Sequence, residues 1–220
     1  MAMEIQYFGQ SCFRLKGKQG VLVTDPFDPQ YVGLKLPKLA ADVVTISHDH
    51  SDHNYLSGVQ QGVNRPHPFV ISGPGEYEVS GIFINGIGSF HDETEGSQRG
   101  KNTIYLIKQD NLRLVHLGDL GHKLTEEQLE KINSPEVLFL PVGGIYTIDG
   151  ETAAQVVAQI EPKVVIPMHY RLPGLIIELD ELEKFLKTMG VEDLKPQPKL
   201  TLNYQTLPEE REVVVLSARS

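Results

Sequence analysis

Four side chains able to bind a cation stand in one short run of this sequence, His48, His50, Asp52 and His53 in ISHDHSDHN. Imidazole nitrogens and carboxylate oxygens are the ligands that divalent transition metals take from proteins, and such metals drive hydrolysis. His48 and His50 are two positions apart, so on extended chain leaving a strand both rings project to one side and can hold one cation. A bend after His50 would turn Asp52 and His53 toward a neighbouring volume, roughly 3.5–4 Å away as in two-metal sites. The pattern reads as a binuclear centre. The bland alternative is a polar solvated loop, but four adjacent titratable groups call for a shared ligand or full access to water.

Two ions need more ligands, and three predicted strand ends offer them: His91 after IGSF, Asp119 in HLGDLGH and His169 in VVIPMHY. His91 is followed by Asp92 and Glu93, which compete as oxygen ligands. Other polar residues read differently. His67, between prolines, belongs to a turn; His116 shares a strand face with Leu112 and Leu114 and is expected to pack; His122 could equally neighbour the site or stand apart. Asp25 either holds a ligand imidazole by its free N–H or is a simple turn residue. Tyr146 and Tyr170 are expected to pack rather than to meet substrate. Arg99 and Lys101, in QRGKN, read as solvated loop cations, with contact to an anionic substrate group as the alternative.

These residues need a scaffold of strands. EIQYFG (4–9), SCFRLKG (11–17) and VLVTD (21–25) have hairpin texture ending in the turn-rich DPFDPQ. DVVTIS (42–47), β-branched and apolar, predicts a buried strand that delivers the HDHSDH run at its end. Strands are also expected at 68–72, 76–81, 82–90, 102–108, 112–119, 137–141 and 163–167. Thr125 and Gln128 form a capping-box pattern ahead of EQLEKI, and Asp149 precedes the helical spacing of ETAAQVVAQI. ELDELEKFLKTMG predicts a third helix, with Leu179, Leu182 and Leu186 on one stripe and Gly190 as its stop. The tail from KPQPKL carries further strand-like runs. Strands first and helices interleaved later imply an α/β architecture of two packed sheets with helices outside, a four-layer αβ/βα sandwich. The 220 residues fit a single domain over 1–220.

Bulk properties narrow the function. A net charge of -9 opposes broad attraction to nucleic acid or anionic lipid, leaving a small molecule, with an anion still attracted to a local metal centre. No apolar run approaches the roughly 20 residues that span a bilayer, and no secretory signal opens the chain. The lone cysteine, Cys12, cannot form an internal disulfide and reads as a small strand residue, in keeping with a cytoplasmic location.

The blocks VLVTDPF, HDHSDH, His91, Asp119 and His169 together resemble the metallo-β-lactamase superfamily. HDETEGSQRGKNTIY, HLGDLGH and LPVGGIYTIDGETAA further resemble its small bacterial and archaeal metal-dependent hydrolases allied to L-ascorbate-6-phosphate lactonase. The resemblance implies a first metal held by His48, His50 and His91, and a second held by Asp52, His53 and His169, with Asp119 bridging. It offers no inserted domain of the nuclease branch and no flavin domain. The expected activity is a metal-dependent hydrolase in which a metal-bridging hydroxide, oriented by Asp52, cleaves a small ester, lactone or phosphoester. Asp52 and Asp119 are the catalytic candidates. The cofactors are two divalent ions, zinc first and manganese or iron as alternatives. The competing readings are an iron-dependent redox enzyme and a non-catalytic metal-binding scaffold.

Overall fold

In the computed structural model, which describes residues 2–191 and 193–219, the N-terminal run is the expected antiparallel meander. Its strands are β1 (Met3–Gly9), β2 (Cys12–Lys16) and β3 (Val21–Thr24). Alternation assigns their faces: Met3, Ile5, Tyr7, Phe13, Leu15 and Leu22 enter the main core, while Phe8, Cys12, Val21 and Val23 enter a smaller core behind it. The segment DPFDPQ leads into a single helical turn, α1 (Pro29–Val32), where the sequence predicts only a turn. Asp28 caps the N–H of Gln30, Pro29 sits where no N–H is needed, and Gly33 ends the turn at φ 86°.

After β4 (Leu39–Ala41), β5 (Val43–Thr45) lies parallel to β3; β6 (Val59–Gln61) pairs with β4, and β7 (Phe69–Ile71) with β5. The second sheet opens with the antiparallel strands β8 (Gly75–Val79), β9 (Ile82–Phe90), β10 (Lys101–Gln109) and β11 (Leu112–His116). It continues in parallel through β12 (Val137–Pro141) and β13 (Val164–Met168), joined by the crossover helices α2 (Glu126–Ile132) and α3 (Gly150–Ile160). Helix α4 (Leu182–Thr188) packs on α3. The tail adds β14 (Leu200–Leu202) beside β1 and β15 (Glu212–Val213) beside β13. The sheet orders are β14-β1-β2-β3-β5-β7 and β15-β13-β12-β11-β10-β9-β8.

The sheets face one another across a core in which Phe13 lies 4.5 Å from Phe139, ring centre to ring centre. Burying each such aromatic contributes about 1.5–3 kcal/mol. Val156, Val157, Ile160 and Phe185 carry that core to the outer helices. The result is the expected αβ/βα sandwich, with the helical cover thin over the first sheet. The capping box of Thr125 and Gln128 and the Asp149 cap on Thr152 form as read. The third helix begins later than its leucine stripe suggested. Asp180 donates its N–H to Gly143 and accepts from Arg171, so its backbone is committed to neighbouring loops and only residues from Leu182 wind. Leu179 is buried all the same. Among the described residues, no helix is long and apolar enough to cross a membrane.

Since β9 and β11 are both antiparallel to β10, and β13 follows β11 in parallel through β12, β9, β11 and β13 all end on one rim. The HDHSDH segment, leaving β5, meets that rim.

Candidate metal centre

Beyond Ser47 the chain turns. The N–H groups of His53 and Asn54 both reach back to the carbonyl of His50, at 2.9 and 3.1 Å. This is the bend anticipated after His50, and it separates the cluster into two volumes. His48, His50 and His91 each offer a ligand atom within 4.8 Å of the others, and so do Asp52, His53, Asp119 and His169. The structure therefore brings together all seven residues singled out in the sequence. Asp119 lies between the groups: its Oδ2 is 3.2 Å from His53 Nε2, 3.3 Å from His169 Nε2, 3.4 Å from His91 Nε2 and 3.9 Å from His48 Nε2.

Each distant residue is fixed by its element. His91 follows β9 directly, and Gly121 packs so tightly on its carbonyl that any Cβ there would collide with it. Asp119 lies just past the end of β11, where the buried Asn102 accepts its N–H at 3.0 Å and donates to the carbonyl of Leu117. His169 follows β13 at φ 52°, an uncommon conformation for a side-chain-bearing residue, held by its N–H on the carbonyl of Gln10.

Asp25 proves to be a positioning residue rather than a turn filler. Its Oδ2 lies 3.0 Å from His53 Nδ1 and accepts the Ser47 hydroxyl, whose oxygen is 2.9 Å from His48 Nδ1. One carboxylate thus orients a histidine of each group, leaving Nε2 of both rings aimed at the centre. Those two Nε2 atoms are buried without a hydrogen-bond partner. Gln10, wholly buried, donates to Asp52 Oδ2 at 3.1 Å. Gln10, Ser47 and Asn102 were not picked out from sequence; the only signal was polar residues where strand ends need none.

Burial and charge oppose one another here. Burial pushes the Asp52 and Asp119 carboxyls up, but the His53 and His169 imidazoles outweigh it and hold both below the usual carboxylate range. Burial likewise lowers His53, yet Asp119 and Asp52 raise it well above an ordinary histidine. His48 is pushed by burial and by the charge of His53 down to about 2 against the opposing pull of Asp119, and His91 is lowered by burial and by His53 in spite of the same carboxylate.

The remaining candidates separate cleanly. Asp92 is no competing ligand: Oδ1 accepts the N–H groups of Thr94 and Gly96, and Oδ2 those of Gln98 and Arg99. Glu93 is exposed and joins neither group. His116 is packed as expected, its Nε2 on the carbonyl of Ser11 and its ring against Phe13 and Phe139. His122 accepts the N–H of Phe90, bracing the chain before His91 without entering the groups. His67 is exposed, Cys12 is buried, and Tyr170 packs in the core. Tyr146 departs from expectation. It is 37% exposed, because the loop after Val142 carries it to the rim of a cleft instead of the core. That cleft, of about 630 Å³, is floored by His50, Asp52, His91, Asp119 and His169 and walled by Tyr31, Arg99, Tyr146 and Ile176.

A two-sheet sandwich with a histidine and aspartate cluster at its strand ends defines a class of metallohydrolase-like proteins. The chain belongs to the metallo-β-lactamase superfamily: the family model described as the beta-lactamase superfamily domain matches residues 4–169. A Thermotoga maritima structure, described as a candidate Zn-dependent hydrolase of that superfamily, is 38% identical. It covers 97% of this chain and 98% of its own, with a TM-score of 0.79. A protein of Thermoplasma acidophilum named a metal-dependent hydrolase is 28% identical over 79% of this chain and 86% of its own length. Another so named, from Pyrococcus abyssi, is 26% identical over 91% of this chain and its whole own length. The enzyme class expected from sequence, a metal-dependent hydrolase, is the one these relatives carry.

Proposed function

We propose that the chain is a hydrolase with two divalent metal ions that cleaves a small ester, lactone or phosphoester. The observation that carries this reading is Asp119 Oδ2, within 3.9 Å of imidazole nitrogens from both groups and set between two clusters that each assemble ligand atoms within 4.8 Å. The fit to metal is chemical as well as geometric. The buried Nε2 of His48 makes no hydrogen bond, which costs about 1–3 kcal/mol, and that of His53 faces only the carboxylates of its own group, while Asp25 holds the far nitrogen of His53 directly and that of His48 through Ser47, so that the near ones can ligate. His48, His50 and His91 would hold one ion, Asp52, His53 and His169 the other, and Asp119 both. Zinc suits this nitrogen-rich set with carboxylates, with manganese or iron as alternatives.

Bound divalent ions supply Lewis acidity and lower the pKa of water toward ~7. The chain supplies the rest. Asp52, ionised and tied down by Gln10, would orient the attacking water as well as ligate. Asp119 fixes the spacing of the two halves. The cleft of about 630 Å³ is of small-molecule size.

Elemental analysis of the purified protein, with His50→Ala and Asp119→Ala alongside, tests the centre; a panel of lactones, thioesters and phosphodiesters tests the chemistry. Two equivalents of metal, turnover of one substrate class and loss of both in Asp119→Ala are expected. A folded wild type that takes up no metal, or only one equivalent, refutes the binuclear reading.

A further inference from the structure

We propose that Arg99 is the anchor for a negatively charged group of the substrate, so that the molecule cleaved is an organic anion carrying a carboxylate or phosphate away from the scissile bond. This deepens the hydrolase reading and rests on it. Among the described residues, Arg99 is the only lysine or arginine lining the cleft over the ligand groups. It is also the only one lining an adjoining chamber of about 400 Å³, walled by Thr94, Gln98, Thr147 and Thr152. His91 and Tyr146 line both spaces, so Arg99 stands where they meet. A substrate extending from the centre into the chamber passes its guanidinium.

The guanidinium is held in place yet keeps its charge free. It lies over the Tyr146 ring, 5.4 Å from the centroid, and gives one N–H to the carbonyl of Ile145 at 3.1 Å. Neither contact neutralises it. Arg14, Arg113 and Arg171 each pair with a glutamate, whereas among the described residues Arg99 has no carboxylate within ion-pair reach. Most of its five donors remain for a ligand, in a fork that suits carboxylate and phosphate oxygens.

The backbone beneath it is fixed too. Asp92, next to His91, gathers the N–H groups of Thr94, Gly96, Gln98 and Arg99 onto its two oxygens, at 2.7–3.0 Å. The loop that bears the cation is thereby tied to the residue after a proposed ligand. The other charged side chains of the walls, Asp49 and Glu178 in the cleft and Asp92, Glu93 and Asp149 in the chamber, are acidic. They repel an anion, and Arg99 is the one wall cation that attracts it.

The test uses the full chain loaded with zinc and freed of excess by desalting. Calorimetry measures the binding of the dicarboxylates from malonate to adipate, each against its own monoamide, so that one carboxylate can engage the centre while the other is present or blocked. In the wild type the best-fitting dicarboxylate should bind ~10-fold or more tighter than its monoamide. In Arg99→Gln that ratio should fall to near unity with monoamide affinity and zinc content unchanged, and Arg99→Lys should keep part of it. A ratio near unity in the wild type, or one preserved in Arg99→Gln, overturns the inference while the zinc content still supports the hydrolase reading. Loss of zinc or of the fold in Arg99→Gln would make Arg99 a structural staple, which also overturns it. A wild type that binds no zinc sinks both.

Discussion

Asp25 carries the most discriminating prediction, because a single fully buried carboxylate serves both halves of the proposed centre. Three donors converge on it: the Ser47 N–H at 2.8 Å, the Ser47 hydroxyl at 2.5 Å and His53 Nδ1 at 3.0 Å. Asp25→Ala strands all three. At about 1–3 kcal/mol for each buried donor left unpaired, and with neighbouring losses not adding fully, the cost is on the order of 3–5 kcal/mol. For a chain of this size that lowers the Tm by on the order of 10 °C. Metal affinity should fall by ~10–100-fold, since both oriented imidazoles lose their outer partner. Ser47→Ala divides the two paths. It removes the hydroxyl between Asp25 and His48 and leaves the direct bond to His53 intact, so one zinc should weaken and the other should not. Competition with a chromogenic chelator yields the two stepwise zinc affinities, and thermal unfolding of the metal-free proteins separates loss of fold from loss of ligation. If Ser47→Ala weakens both ions equally, or Asp25→Asn leaves both unchanged, the relay through Asp25 is not what orients these rings.

Four further outcomes follow, two from His53 and two from contacts outside the centre. Although burial lowers His53, Asp119 and Asp52 raise it above its ordinary 6.5, so metal-free protein near neutrality keeps a proton there that an incoming ion displaces. Zinc uptake should therefore release about one proton and weaken as pH falls, read as a buffer-dependent heat in calorimetry; a heat independent of buffer would refute it. The sign for stability is the reverse: the contribution of protonated His53 to the metal-free fold is complete below 6.5 and lost as pH rises through its raised value, which thermal unfolding against pH will detect. Asp92→Ala should speed hydrogen exchange at residues 94–99 and abolish the preference for dicarboxylates, and unchanged exchange would show that Asp92 does not organise the loop. The Tyr105 hydroxyl donates to the carbonyl of Ile46 at 2.7 Å and accepts the N–H of Gly73 at 2.9 Å, joining the two sheets behind His48. Tyr105→Phe should lower unfolding free energy by about 1–3 kcal/mol in denaturant titration, and an unmoved midpoint would refute that role.

The parts of the centre legible in the sequence were those whose signal is local. HDHSDH packs four candidate ligands, three histidines and an aspartate, into one turn, and strand ends mark where His91, Asp119 and His169 can leave a sheet and face a shared rim. What stayed hidden depends on contacts between segments far apart in the chain. Gln10 meets Asp52 across 42 positions, and Ser47 gains meaning only because Asp25, 22 positions earlier, lies beneath it. Asp92 looked like a ligand because a carboxylate after a histidine has that chemistry, and only the fold of its own loop shows both oxygens already taken. The helix through ELDELEKFLKTMG was placed too early for a similar reason, since nothing local to Asp180 announces that its backbone will pair with Gly143 and Arg171.

Backbone conformation makes the same point for the site as a whole. Asp25 at φ 37° and His169 at φ 52° adopt the left-handed region without being glycine, a cost that local preference would avoid. Each is held there by a cross-strand bond, Asp25 N–H to the carbonyl of Thr45 and His169 N–H to that of Gln10. These two of the several non-glycine residues at positive φ lie at the proposed centre, one orienting proposed ligands and the other a proposed ligand. A sequence method that rewards comfortable local structure therefore has least to say at the positions where the two sheets force the chain to present its chemistry.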